Sequence, residues 1–311
     1  MNIRKAFKKV FVIFWHIFAV IGVLATALLI IWSNKDENIK IEPDYEIELA
    51  KYATLLQQAG GYTPDTTTFN IHSLPDSMKA QELKAYFNID SIVGYSTTTW
   101  DKTLTLARFV ASHVPHANQS VQPEKRNAIA LWEYTKNVEP AFNCRLHSIM
   151  LFELLSAAGI NATFITCLPK DSTDSDCHVV NQVWLPEINK WAMIDSDFNG
   201  NYATDKSGTP LSLAEIRDRY ISGDDIYFHQ AFAAGSNEIC FYYSYMAKNT
   251  YWFASWETPT YDQEPDKQNS NPGRYIRLVP SGFRPFRTDS TDIVTSDVNK
   301  FWAKPSGRRS S

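Results

Sequence analysis

The sequence predicts an α+β fold in which one central helix packs on an antiparallel sheet, behind an apolar N-terminal segment. Three observations predict it. Residues 146–158 carry Leu146, Ile149, Met150, Leu151, Phe152, Leu154, Leu155, Ala157 and Ala158 and stop at Gly159. A helix apolar on nearly every side is a buried one, and a glycine just past its end is a common stop. Residues 177–185 and 191–195 read as two strands joined by a turn at 186–190, a β-hairpin. Residues 10–32 hold no formally charged side chain, and at ~1.5 Å per residue such a run crosses ~30 Å of hydrocarbon.

The chain has 311 residues, 44% of them hydrophobic, and a net charge of −4. That bounds it to one or two globular domains with a sizeable core, and its charge gives no nucleic-acid signature. Residues 1–9 are a basic end (Arg4, Lys5, Lys8, Lys9) before the apolar run 10–32; Asp36, Glu37, Glu42, Asp44, Glu46 and Glu48 follow it. This asymmetry orients a transmembrane helix with its amino end inside. A cleaved secretory signal is the competing reading, with Ala25-Thr26-Ala27 as its cleavage-like triplet. The apolar region of such a signal is usually only ~7–15 residues, so an uncleaved anchor is expected, with residues 33–311 outside the cytoplasm.

Residues 33–98 read as a tether and an N-terminal helical layer. Its helices are 45–59, ended by Gly60-Gly61, and 75–88, started by Pro75, with a Thr/Pro/Asp-rich loop between them. Residues 99–222 read as the functional core. It opens with helices over 100–114, where Trp100, Leu104, Ala107, Ala111 and Val114 recur at helical spacing, and over 125–136,. A strand over 161–168 and a polar acidic loop over 169–176 precede the hairpin, and the Ser212–Glu215 capping box opens a helix to about Tyr220,. Residues 223–311 read as an aromatic-rich extension of the same unit, strand-like over 239–256, looped over 257–273, a strand over 275–279, and disordered beyond Pro305.

The chemistry-bearing residues stand at element ends. Cys144 follows an irregular segment at the start of the apolar helix, where unpaired backbone N–H groups and the helix dipole favour a thiolate. His178 opens one hairpin strand and Asp195 closes the next; in an antiparallel pair those ends lie side by side. A thiol, an imidazole and a carboxylate form a nucleophile, base and orienter. Asp197, on the same strand face as Asp195 if the strand continues, is the rival orienter. A zinc set of Cys144, His147, Cys177 and His178 is disfavoured, because Cys177 and His178 point to opposite strand faces. His113 and His116 read as surface or cap residues, and Asp171, Asp174 and Asp176 as a solvated loop at the cleft rim. In an exported domain Cys167 and Cys177 could pair, leaving Cys144 free and Cys240 unassigned.

A cysteine at a helix start, then His178-Val-Val-Asn-Gln-Val-Trp184, then Trp191-Ala-Met-Ile-Asp195, resembles the transglutaminase-like (papain-related) cysteine enzyme superfamily, in a bacterial membrane-anchored form. The resemblance covers roughly residues 100–222 and extends to Gly208-Thr-Pro-Leu-Ser-Leu-Ala-Glu-Ile-Arg217. It implies a transglutaminase-like/papain-like core with a Cys144–His178–Asp195 triad, acyl transfer through a thioester, a protein or peptide substrate such as a cell-wall peptide, and neither cofactor nor metal. The oxyanion would be held by the Cys144 N–H and one side chain among Trp132, Gln119, Asn143 and Asn118. Hydrolysis by a peptidase or amidase is expected over transamidation. Asn143 stands where the family often has Gly, and Gln182 where it often has Glu; these departures leave open a catalytically inactive scaffold on the same fold.

Overall fold

The computed structural model describes residues 43–305, except 70, 72–75, 232–235, 258, 263–273 and 287. The basic end 1–9, the apolar segment 10–32 and the tail after Pro305 lie outside the described residues, as does Pro75. Among the described residues no helix is long and apolar enough to cross a membrane.

Helices α1 (Pro43–Gln57), α2 (Ser77–Phe87), α3 (Ile89–Val93), α4 (Thr99–His113) and α5 (Ala128–Asn137) precede α6 (Cys144–Ala157). Strands β1 (Ala162–Leu168), β2 (His178–Leu185), β3 (Lys190–Ile194) and β4 (Asn201–Thr204) follow, then α7 (Leu213–Ser222), β5 (Tyr227–Gln230), α8 (Ser236–Asn249), β6 (Trp252–Trp256), β7 (Tyr275–Leu278), β8 (Ile293–Thr295) and α9 (Val298–Phe301). The main sheet has the order β3-β2-β1-β6-β7-β8. Its pairs are antiparallel except the parallel β7–β8 pair. A mixed α+β architecture with a central helix on this sheet is what the sequence predicts.

Helix α6 is the hub. Residues 146–155 are all buried, and the helix packs on β1 and β2 on one side and on α2, α4 and α5 on the other. Each fully buried Leu, Ile, Met or Phe contributes ~1.5–3 kcal/mol of transfer free energy, so this helix is fixed by its apolar surface rather than by propensity. Gly159 ends it with φ 82, a left-handed backbone that a Cβ would strain. The inward faces of β1 to β3 supply Ala162, Phe164, Val179, Val183, Leu185, Ala192 and Ile194 to the same core.

Several expectations change in the structure. Residues 239–256 are not one strand: α8 runs to Asn249 before β6 begins at Trp252. Ile239, Tyr242 and Met246, at spacings of three and four, are buried on one helical stripe, and that period prevails over the strand preference of the aromatics. The two N-terminal helices do not form one layer, since α1 packs on α7 and α8 whereas α2 packs on α6 and α5. The small sheet of β4 and β5 is not among the elements that the sequence predicts. Cys144, Cys167 and Cys177 are thiols. Cys167 stands opposite His178 in the ladder, so Cys177 is one residue out of register and on the other strand face, and the expected pairing does not form.

Candidate active site

The thiol is placed by a cap. Asn143 (φ −86, ψ 172) is the N-cap of α6, and its Oδ1 accepts the Leu146 N–H at 3.2 Å. Cys144 is therefore the first helical residue, partly exposed at the positive end of the helix dipole,. The segment leading to it is tied to the end of α4: Phe142 pairs with His116 in a parallel bridge, with Phe142 N–H donating to Pro115 O at 3.0 Å and Ala117 N–H donating to Phe142 O at 2.7 Å.

The hairpin delivers the other two groups. His178 is the first residue of β2 and Asp195 the first after β3, and His178 Nε2–H donates to Asp195 Oδ2 at 2.6 Å with both side chains fully buried. Asp195 also takes the Tyr242 hydroxyl at 2.8 Å on Oδ2 and the Asp197 N–H at 2.9 Å on Oδ1. His178 Nδ1 is left buried without a hydrogen-bond partner. Cys144 Sγ, a His178 ring nitrogen and an Asp197 carboxylate oxygen all lie within 4.8 Å of one another. With Nε2 held by Asp195, Nδ1 is the nitrogen available to the sulfur.

Electrostatics follow from this packing. Burial pulls the His178 pKa down, but the Asp195 charge and hydrogen bond, with Cys144 adding to them, outweigh it and hold the imidazole well above its ordinary value. Burial opposes ionisation of Asp195; the His178 charge and hydrogen bond, the Asp197 N–H and the Tyr242 hydroxyl nevertheless keep its carboxyl below the usual range. The Asp195 charge thus favours an imidazolium at His178 whenever a proton reaches it. Phe198, Tyr242 and Tyr245 surround the His178 ring at centroid distances of 5.3, 6.0 and 5.2 Å.

Asp197 belongs to a second cluster beside the first. Its carboxylate accepts His116 Nδ1–H at 2.8 and 2.9 Å, and His147 Nε2 stands 3.4 Å from the same Oδ1. The Asp197 hydrogen bond raises the His116 pKa against the effect of partial burial, whereas burial lowers that of His147. The His116 ring stacks on Phe198 at 5.4 Å. So the orienter contact to His178 is made by Asp195, and the rival Asp197 faces the thiol from another side.

Trp132 stands in an aromatic stack with Phe87, Phe109 and His113. Gln119 Nε2 donates to Ala117 O at 2.6 Å and Ala141 O at 3.3 Å. Asn143 uses its oxygen as the helix cap, and Asn118 is exposed. His116, read from the sequence as a surface or cap residue, is far from Asp197 along the chain with no motif to join them, and Tyr242 lay in the segment misread as strand. The zinc set weighed from the sequence is not assembled as drawn, since Asp197 rather than Cys177 or His147 joins Cys144 and His178. The loop 169–176 is pinned to α8, where Lys248 pairs with Asp174 and Asp176 at 2.8 Å each.

Residues 88–196 match the family model of the Transglutaminase-like superfamily, a stretch that contains Cys144, His178 and Asp195 and ends just before Asp197. The match supports a transglutaminase-like core. No curated protein matches the chain. Among solved structures, a candidate cysteine protease from Cytophaga hutchinsonii is 15% identical with a TM-score of 0.31, covering 56% of this chain and 58% of that one. A candidate protease from Parabacteroides distasonis is 12% identical with a TM-score of 0.25, covering 47% and 26%. A protein named a TGase is 13% identical with a TM-score of 0.24, covering 55% and 37%. The chain thus spans less than two thirds of each of these, and likenesses this distant carry no functional weight here.

Proposed function

We propose that the chain is a cysteine acyl-transfer enzyme acting on a peptide or carboxamide bond, with Cys144 as nucleophile, His178 as general base and acid, and Asp195 as orienter. The observation that carries this reading is the position of His178, with Nε2 fixed by Asp195 at 2.6 Å and a ring nitrogen within 4.8 Å of the Cys144 sulfur at a helix start. Cys144 Sγ attacks the carbonyl carbon, and its proton goes to His178 Nδ1. The Asp195 carboxylate stabilises the imidazolium so formed. The tetrahedral oxyanion takes the Cys144 backbone N–H at the end of the helix dipole. Collapse expels the amine, which leaves with the proton from His178, and a thioester remains. Water then releases the acid in a peptidase or amidase; an amine would release an amide in a transglutaminase.

Hydrolysis of an extracytoplasmic peptide, such as a wall peptide or an exported protein, is the reading proposed, with residues 10–32 anchoring the domain in the membrane. The two departures from the family pattern have structural roles. Asn143 caps α6, and Gln182, fully buried in β2, accepts the Leu213 N–H at 3.3 Å.

The test is single-turnover mass spectrometry of the full chain with peptide amide donors. A thioester adduct on Cys144, absent in Cys144→Ala, is expected. Equal turnover by the alanine variant overturns the reading.

A further inference from the structure

The triad leaves one buried carboxylate unused. Asp197 is 5% exposed, its own carboxylate lies within 4.8 Å of both the thiol sulfur and the His178 nitrogen, and the orienter contact is already made by Asp195. A carboxylate beside a thiolate opposes ionisation of the sulfur, so the acyl-transfer chemistry gives no reason for it. A cation does.

We propose that Cys144, His178 and Asp197 form a reversible zinc-binding site whose occupation switches the thiol off. As regulation the proposal rests on the enzyme reading; as metal binding it stands on the donor set alone. Thiolate, imidazole and one carboxylate are the donors that zinc prefers over magnesium or calcium. At ~2.3 Å to sulfur and ~2.0–2.1 Å to nitrogen and oxygen, tetrahedral donors sit about 3.3–3.7 Å apart. The three donor atoms already lie within 4.8 Å of one another, and small rotations of the Cys144 and Asp197 side chains close them to that spacing.

The surroundings are already those of a metal site. Metal-bound imidazoles characteristically donate their other N–H to a carboxylate, which fixes the lone pair on the metal; His178 Nε2–H does so to Asp195. Ligating carboxylates are themselves hydrogen-bonded, and Asp197 is held by His116. The partly exposed side of Cys144 leaves a fourth position for water. On binding, the thiol loses its proton to solvent and its lone pair enters the Zn–S bond, while the His178 nitrogen needed as base is occupied. The metal and the acyl group therefore exclude one another.

The experiment uses the full chain, reduced and freed of metal, titrated with Co²⁺ as a spectroscopic stand-in and with Zn²⁺ in competition. A thiolate-to-cobalt charge-transfer band, displaced by Zn²⁺ and absent in Cys144→Ala, is expected. Weaker affinity is expected in Asp197→Asn, and a ~10–100-fold loss in His116→Gln, which removes only the partner of the ligand; the second variant guards against misfolding of the first. Zn²⁺ should slow iodoacetamide labelling of Cys144 and a chelator restore it. No band, or a band of equal strength in Cys144→Ala, overturns the proposal. Metal binding without any acyl-enzyme would sink the enzyme reading and leave the site standing; turnover without metal binding would do the reverse.

Discussion

The hydroxyl of Tyr242 lies 2.8 Å from Asp195 Oδ2, the same oxygen that takes the 2.6 Å hydrogen bond from His178. Burial and the Asp195 charge drive the tyrosine pKa well up, so the phenol is a permanent donor. It stabilises the charged carboxylate without competing for the role of base. Tyr242→Phe should lower kcat/KM about tenfold and destabilise the fold by ~1–3 kcal/mol, the cost of weakening a buried charged network. Asp195 sits below the ordinary carboxylate pKa of ~3.9, so its stabilisation is present above that value and disappears as pH falls through the folded pKa. In Tyr242→Phe the folded pKa of Asp195 rises toward its unfolded value, so the acid loss should be smaller and complete at higher pH, as read by thermal unfolding through the acid range,. An unshifted acid limb would contradict the assigned role.

The two aspartates should separate kinetically. Asp195→Asn leaves an amide against His178 Nε2 and disfavours the tautomer needed at Nδ1, so kcat should fall ~10²–10⁴-fold. Asp197→Asn removes the partner of His116 and not that of His178, and a loss below about tenfold is expected. Iodoacetamide rates across pH provide a substrate-free comparison: Asp195→Asn should flatten the neutral-pH reactivity of Cys144. If Asp197→Asn proves the more damaging of the two, the roles are reversed.

Glu153 gives a pH dependence of opposite sign. It is 2% exposed inside α6, where Oε2 accepts Ala128 N–H at 2.8 Å and Oε1 accepts Asp262 N–H at 3.0 Å. Burial is the largest influence and, against those two bonds, pushes its pKa from 4.5 up to about 7. Between these values the folded chain binds a proton that the unfolded chain releases. Stability from this residue is therefore full below about pH 4.5 and is lost as pH rises to about 7. The difference between wild type and Glu153→Gln in urea unfolding should shrink by up to ~3 kcal/mol from pH 4.5 to 8. Parallel pH profiles would show that the two backbone bonds already cancel the cost of burial.

What the sequence disclosed and what it hid divide along physical lines. α6 and the β2–β3 hairpin were legible because apolar period and turn chemistry act locally, as did the Ser212–Glu215 cap, present as a capping box. Convergence of Cys144, His178 and Asp195 followed from element ends plus antiparallel pairing. The His116–Asp197 contact was not legible, since it depends on how Pro115 and His116 lie against Phe142, a tertiary register with no local code. α8 was misread because its tyrosines and phenylalanine favour strands by type, while its helical stripe becomes evident only once Tyr242 and Met246 are seen to be buried together.

The loop ahead of His178 supplies the last prediction. Lys248 on α8 is 15% exposed and bridges Asp174 and Asp176 at 2.8 Å each, while Tyr245 donates to Asp176 Oδ1 at 3.1 Å. These contacts hold the 169–176 loop two residues ahead of His178. Ion pairs near the surface contribute little to global stability, ~1 kcal/mol or less, but a loop with few buried apolar contacts opens locally at low free energy. Lys248→Met should therefore leave the unfolding midpoint within a few degrees of wild type. It should still raise hydrogen exchange and protease cleavage within 169–176, and raise KM more than it lowers kcat, because the loop leads into His178 without supplying a reacting atom. If Lys248→Met lowered kcat as severely as Asp195→Asn, the loop would have to be assigned a direct part in positioning His178.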